Sequence, residues 1–169
     1  MLGFYTNFPQ NIHKAEKFST SILSKKLQQT LVEVLYRLNG ETPSLEEVAE
    51  PSIPGCRVIF EFGVAEDNDF NFLDDEERKK LLTAIKKKPF QVMDFLCVIR
   101  YRIMKEEKKR RMRFDYYMLR WMFGESLVEV HVSHEKGTRH ISPDDLVDLV
   151  VSRVNGAFSK KVLRPSEAA

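Results

Sequence analysis

The segment VMDFLCVIRYRIMKEEKKRRMRFDYYMLRWMF, residues 92–123, contains two long runs of strand-forming residues separated by a highly charged stretch. β-Branched and aromatic residues are enriched in strands, and successive side chains of a strand point to opposite faces. Each run has apolar residues on both faces, for example Phe95 on one and Leu96 on the other. The segment therefore predicts a β-hairpin whose strands occupy about residues 90–104 and 112–123.

Helices and further strands flank this hairpin. Apolar residues recur at the i, i+4, i+7 spacing of a helix face from Leu27 to Leu38. Ser142, followed by a proline and two aspartates, is typical of a helix start. In chain order, the sequence predicts a strand at 2–8, a helix at about 24–38, a strand at 56–65, a helix opened by Asp74, the two hairpin strands, a strand at 127–134 and a helix after Ser142.

The order of these elements predicts the fold class. Strands cluster in the second half of the chain and helices interleave only early, which is typical of an α+β fold. We expect a curved antiparallel sheet of about four to five strands with two to three helices packed on one face. Residues 1–158 are expected to form a single domain, and residues 159–169 a flexible tail. Residues 10–20 are predicted to be irregular and residues 66–71 to form a turn.

Composition limits the class of protein. With 43% hydrophobic residues and 12 phenylalanines, the chain of 169 residues can bury a core, which excludes a disordered protein. Its amino terminus lacks the basic and apolar regions of a signal peptide, and no apolar run approaches the roughly 18 residues of a membrane span. Cys56 and Cys97 lie in strand-like runs and are expected to be buried thiols in a reducing compartment. We therefore expect a cytoplasmic protein that does not enter a membrane.

The charge is unevenly distributed, although the net charge is only +2. Residues 100–120 contain nine basic and three acidic residues, whereas residues 66–77 contain seven acids and no base. A projecting basic hairpin next to aromatic residues suits binding of RNA or single-stranded DNA, because Lys and Arg displace counterions from phosphates and aromatic rings stack on unpaired bases. The candidate nucleic-acid-binding residues are Arg100, Arg102, Lys105, Lys108, Lys109, Arg110, Arg111 and Arg113.

Two other interpretations of the basic tip remain open. In the first, its charges only keep a long hairpin soluble and protect its edges, and Glu106 and Glu107 favour this solvated turn. Alternatively, the tip docks on an acidic protein surface, such as residues 66–77 of a second copy.

No motif points to catalysis, a metal or a cofactor. His131 and His134 lie three residues apart on a predicted strand and therefore point to opposite faces. They lack the Cys-x-x-Cys or His-Glu-x-x-His spacing of a zinc site, and the chain has no glycine-rich phosphate-binding loop. The sequence therefore predicts no catalytic residue, metal or cofactor, and favours a protein that is not an enzyme.

The apolar residues on both faces of the hairpin strands carry a further implication. One helical layer covers only one face of a sheet, so the other face either encloses a pocket or meets a protein partner or a second copy. The candidate pocket residues are Tyr101, Tyr117, Trp121 and His131. The leading expectation is a binding protein for RNA or single-stranded DNA, with an oligomer subunit and a small enzyme or ligand carrier as the alternatives.

Overall fold

The computed structural model describes residues 1–49, 55–103 and 113–166. The candidate residues Lys105, Lys108, Lys109, Arg110 and Arg111 lie outside the described residues. The elements are β1 (Lys14–Thr20), α1 (Ser24–Leu38), a 3-10 turn (Leu45–Glu47), β2 (Cys56–Glu66), β3 (Asp69–Phe72), α2 (Asp75–Lys87), β4 (Val92–Ile103), β5 (Arg113–Phe123), β6 (Leu127–Gly137), α3 (Pro143–Gly156) and β7 (Leu163–Pro165).

The described residues form one open antiparallel sheet and three α-helices, which confirms the α+β prediction. The sheet has seven strands in the order β3-β2-β4-β5-β6-β1-β7, so the predicted number of four to five is wrong. The strands β4, β5 and β6 follow one another as a meander. β1, the first strand of the chain, pairs antiparallel with β6. None of the helices in the described part of the chain is long and apolar enough to span a membrane.

The strand count differs because of three short or polar strands, two of which, β1 and β7, find partners in distant parts of the chain. β1 lies in the segment predicted to be irregular, and Phe18 is its one fully buried residue. β3 lies in the predicted turn and pairs with β2. β7 pairs with β1 and reaches into the segment predicted as a flexible tail, with Leu163 buried. Residues 2–8 do not form the predicted strand, and Leu2 makes only an isolated bridge with Glu66.

The two faces of the sheet differ in burial. The face toward the helices, called the helix face, contributes buried side chains to one core cluster with the helices. α1 packs against β2 and against both α2 and α3, so it is the central helix of the layer. The opposite face, called the open face, is mostly half-buried or exposed along β2, β4, β5 and β6. Its side chains include Arg57, Ile59, Glu61, Asp94, Leu96, Val98, Arg100, Arg102, Phe114, Tyr116, Met118, Arg120, Met122, His131 and Lys136.

The amino-terminal segment crosses one end of the open face. Gly3 lies between β2 and β4, where its N–H donates to Ala65 O at 2.6 Å and its carbonyl accepts from Asp94 N at 2.7 Å. Its φ of 86° lies in the left-handed region, which favours glycine. The ion pair of Asp94 and Arg120 lies beneath this segment. The far end of the open face, where β4 ends and β5 begins, is the part left accessible.

Two helix starts agree with the sequence pattern. The Asp74 carboxylate accepts from Glu77 N at 2.9 Å, and the Ser142 hydroxyl accepts from Asp145 N at 3.1 Å. Each bond satisfies a backbone donor that the first turn of a helix leaves unpaired. These caps fix where α2 and α3 begin and therefore how the helical layer lies on the sheet.

Candidate nucleic-acid interface

The described members of the predicted basic site do not all lie together. Arg100 and Arg102 lie two residues apart on β4 and share the open face. Arg113 is paired with Tyr101 across β4 and β5, and Tyr101 belongs to the helix face. Because opposed residues of an antiparallel pair share a face, Arg113 lies on the opposite side of the sheet from Arg100 and Arg102. The structure thus separates the candidate arginines into two groups.

A cation that the sequence analysis missed joins the open-face group. Arg57 of β2 lies directly opposite Arg102 of β4. Both side chains are exposed. Two cations directly opposite each other on a sheet repel, which is normally unfavourable. Their pairing concentrates positive charge at the end of the open face where β4 ends.

Aromatic rings lie next to these cations. Phe114 of β5 is opposite Arg100, and Tyr116 is opposite Val98 on β4 and Lys136 on β6. The two rings are 5.2 Å apart and nearly perpendicular, and both side chains are half-buried. These six residues form a band across four strands and are called the basic–aromatic patch: Arg57, Arg100, Arg102, Phe114, Tyr116 and Lys136.

The pairing of its charges leaves most of the patch available for an anion. Arg100 Nη2 lies 3.0 Å from Glu61 Oε1, so this cation is partly neutralised. Among the described residues, the Arg57 side chain has one partner, Thr42 O, to which Nη1 donates a long hydrogen bond of 3.4 Å. Arg102 and Lys136 make no ion pair within the described residues. β2 and β6 are the outer two of four adjacent strands, and at about 4.8 Å between neighbours they lie about 14 Å apart. A patch of this width can contact a few nucleotides rather than a single ion.

A buried polar cluster lies on the other side of the same sheet region. Asp115 is fully buried, and its carboxylate accepts from Tyr101 Oη at 2.5 Å and from Arg139 N at 2.7 Å. His134 Nε2 lies 2.9 Å from Asp115 Oδ1, and His134 Nδ1 accepts from Arg139 Nε at 3.1 Å. The Tyr101 oxygen also accepts from Ile141 N at 3.1 Å. The cluster ties residues 139–141, which lead into α3, to β4 and β5.

The cluster resembles a catalytic Asp–His pair in composition but not in its geometry. A general base needs one ring nitrogen free to take a proton from a substrate. Both nitrogens of His134 already have protein partners, Asp115 and Arg139. The His134 side chain is also only 8% exposed. The arrangement is therefore suited to holding a loop in place.

Burial of the two tyrosines in this region gives a prediction about alkaline pH. Burial raises the pKa of Tyr101 above its ordinary 10.0, and the nearby Asp115 raises it further. Burial and Asp115 also raise the pKa of Tyr117. An unfolded chain loses these protons near pH 10 while the folded protein retains them, so stability is expected to fall as pH rises above about 10. Urea unfolding midpoints measured across this range will test the effect.

The control for this prediction is a tyrosine on the open face. Replacing Tyr101 by phenylalanine is expected to flatten the decline of the urea midpoint above pH 10. Tyr116→Phe should leave that decline unchanged, because Tyr116 is half-buried and outside the cluster. Equal slopes for wild type and Tyr101→Phe would show that the buried phenol does not control alkaline stability.

The structure does not bring the four candidate pocket residues together. Tyr101, Tyr117 and Trp121 are 4%, 0% and 0% exposed on the helix face, where they are packed into the core. His131 lies on the open face opposite Arg120, and its Nε2 is 3.2 Å from Glu129. His131 alternates along β6 with Val130 and Val132 of the core, so it lies on the other face of the sheet from the three aromatic residues.

Metal and thiol chemistry find no support in the described residues. These residues contain no group of three or more His, Cys, Asp or Glu side chains that would hold a metal ion. Cys56 and Cys97 are buried free thiols. Complete burial raises the pKa of Cys97 well above its usual range, which disfavours the reactive thiolate.

Comparison of the chain with protein-family models, with curated proteins and with solved structures finds no match. The geometry of the site is therefore the basis on which a function is proposed.

Proposed function

We propose that this protein is a non-enzymatic binding protein for RNA or single-stranded DNA, and that the basic–aromatic patch is the contact surface. The observation that carries the proposal is the strand register, which sets Arg57 beside Arg102 and Arg100 beside Phe114 on the open face. Cations and accessible rings on one sheet face are the two components that single-stranded ligands require.

The cations account for affinity. A nucleic acid releases condensed counterions when Lys or Arg neutralises its phosphates, so binding is strong at low salt and weakens as salt rises. Arg102, Arg57 and Lys136 lie on three different strands, so they contact a chain of phosphates rather than a single one. The segment between β4 and β5 in sequence, residues 104–112, contains five further basic residues and two acidic ones.

The rings account for the preference for unpaired bases. Phe114 and Tyr116 lie between the arginines of β2 and β4 and the lysine of β6. Stacking of one base on an aromatic side chain contributes about 1–3 kcal/mol and requires that the base be out of a duplex. The patch is therefore expected to bind single strands more tightly than duplexes of equal length.

The first test compares salt dependence between a patch variant and a matched control. In Arg57→Ala/Arg102→Ala/Lys136→Ala, binding of fluorescent oligo-U or oligo-dT should weaken on the order of tenfold or more at low salt. Each lost phosphate contact removes about 0.7 from the slope of log K against log salt, so the triple variant should lower it by about 2. Fluorescence anisotropy at several salt concentrations measures both quantities.

The control removes equal charge from another part of the surface. Lys87→Ala/Lys88→Ala/Lys160→Ala replaces three exposed lysines outside the patch, and its slope should stay close to that of wild type. Phe114→Leu/Tyr116→Leu should keep the salt slope but lose the preference for single strands over duplex. Equal slopes in the patch and control variants, or no binding of either oligonucleotide by wild type, would contradict the proposal. No binding together with self-association would favour the alternative of an oligomer interface on this face.

A further inference from the structure

The outer surface of the helical layer contains a trough of about 760 Å³. Thr30 and Val34 of α1 lie in its floor and are 9% and 8% exposed. The walls come from the two flanking helices, with Leu82 of α2 on one side and Arg153 of α3 on the other. The central helix is therefore recessed between its neighbours, and the trough is open to solvent.

The dimensions of the trough fit an added helix. Its floor runs along α1 from Lys26 to Arg37, which at 1.5 Å per residue is about 16 Å, or about three turns. Packed helices lie 8–10 Å apart, so a helix placed over α1 contacts α2 and α3 as well. The apolar side chains available to it are Val34, Leu82, Ala157 and Phe158.

The charges of the trough select the kind of helix. Its two carboxylates are already bound by arginines: Glu33 by Arg78 at 2.8 Å and Glu41 by Arg153 at 2.7 Å. Three cations that line the trough make no ion pair in the described part of the chain: Lys26, Arg37 and Lys86. Lys26 lies at the amino end of α1 and Lys86 at the carboxyl end of α2, whereas Arg37 lies in the last turn of α1. The unpaired charge at both ends of the trough is therefore positive.

We infer that this trough is the docking site for an acidic amphipathic helix of a partner protein. Its apolar stripe covers Val34 and Leu82, and its carboxylates pair with Lys26, Lys86 and Arg37. This is the helix-in-groove mode of recognition, in which anchors at i, i+3, i+4 and i+7 enter an apolar groove. The trough lies on the opposite side of the molecule from the open face, so the inference is independent of nucleic-acid binding.

The test uses a synthetic peptide as the probe. The peptide is fluorescein-labelled, three to four turns long, with leucines at i, i+4, i+7 and i+11 and glutamates on either side of them. Anisotropy should show saturable binding to the full chain, and methyl NMR should show shifts at Val34 and Leu82. The variant Lys26→Glu/Lys86→Glu should weaken binding on the order of tenfold, because two attractive contacts become repulsive.

A matched variant and a matched peptide complete the design. Lys87→Glu/Lys88→Glu makes the same charge change at exposed positions of α2 and its carboxyl-terminal cap that do not line the trough, and its affinity should stay within about twofold of wild type. A peptide with lysines in place of the glutamates should not bind. The inference is overturned by no binding of the acidic peptide, by equal weakening in the two variants, by equal binding of the lysine peptide, or by shifts confined to Leu96 and Val98 on the open face. Self-association abolished by Lys26→Glu/Lys86→Glu would also overturn it, in favour of a second copy as the occupant.

Discussion

Replacing Arg120 by alanine is expected to lower the free energy of unfolding by about 4 kcal/mol, because it leaves a buried carboxylate without its counterion. Asp94 is fully buried. Arg120 Nε and Nη2 each lie 2.8 Å from one of its oxygens, and Nη2 also donates to Tyr5 O at 3.1 Å. The guanidinium lies over the ring of Phe8 at 4.4 Å, so the same residue holds the amino-terminal segment on the sheet. Urea unfolding followed by fluorescence of the single tryptophan, Trp121, measures the loss.

The control for this prediction is another arginine–carboxylate pair of the same protein. Arg153 and Glu41 are joined at 2.7 Å, but their side chains are 40% and 41% exposed. An exposed pair contributes about 1 kcal/mol or less, so Arg153→Ala should cost little. Replacing both partners, as in Asp94→Leu/Arg120→Met, should recover part of the stability lost by Arg120→Ala. Similar losses for Arg120→Ala and Arg153→Ala would refute the argument that burial decides the effect.

Asp115→Ala is expected to lower the free energy of unfolding by about 3 to 5 kcal/mol, because buried hydrogen-bond donors lose their acceptor. The carboxylate of Asp115 accepts three hydrogen bonds inside the core, and its loss leaves Arg139 N and His134 Nε2 without an acceptor. A buried donor that loses its partner costs about 1–3 kcal/mol. The loop at 139–141 should also loosen, which amide hydrogen exchange of Ile141 will detect, since its N–H donates to Tyr101 Oη.

Asp148→Ala is the matched control for Asp115. Asp148 is an exposed aspartate on α3, and its removal should change stability by no more than about 0.5 kcal/mol. The loss of stability in Tyr101→Phe should lie between those of Asp115→Ala and Asp148→Ala, because it removes one member of the cluster and leaves the Asp115–His134 contact. A stability of Asp115→Ala equal to that of Asp148→Ala would mean that the cluster does not hold the loop.

The elements that local patterns determine were predicted from the sequence. Alternation of apolar residues identified β2, β4, β5 and β6, and caps at Asp74 and Ser142 identified the starts of two helices. These features depend on neighbours within a few residues. The bounds of the hairpin strands differ little from the prediction of 90–104 and 112–123.

Features that depend on pairing between distant segments were not predicted. β1 is polar at most positions and becomes a strand because β6 and β7 supply its hydrogen bonds. Arg57 joins the patch only through the register of β2 against β4, which one sequence does not reveal. Asp115 was detectable in the sequence, since it lies on the same face of β5 as Tyr117, Leu119 and Trp121, all of which are buried. An acidic residue at a core-facing position of a strand predicts a buried polar cluster, and this pattern would have predicted the cluster around Asp115.

The sheet order has a consequence for how the chain is made. β1 lies between β6 and β7, so its partners are synthesised more than a hundred residues after it. At 5–20 residues per second, translation leaves β1 without a partner strand for on the order of ten seconds. β4, β5 and β6 need no earlier strand to pair with one another. A nascent chain can therefore pair its strands from the β3 edge of the sheet toward β6, and the amino-terminal strand joins among the last.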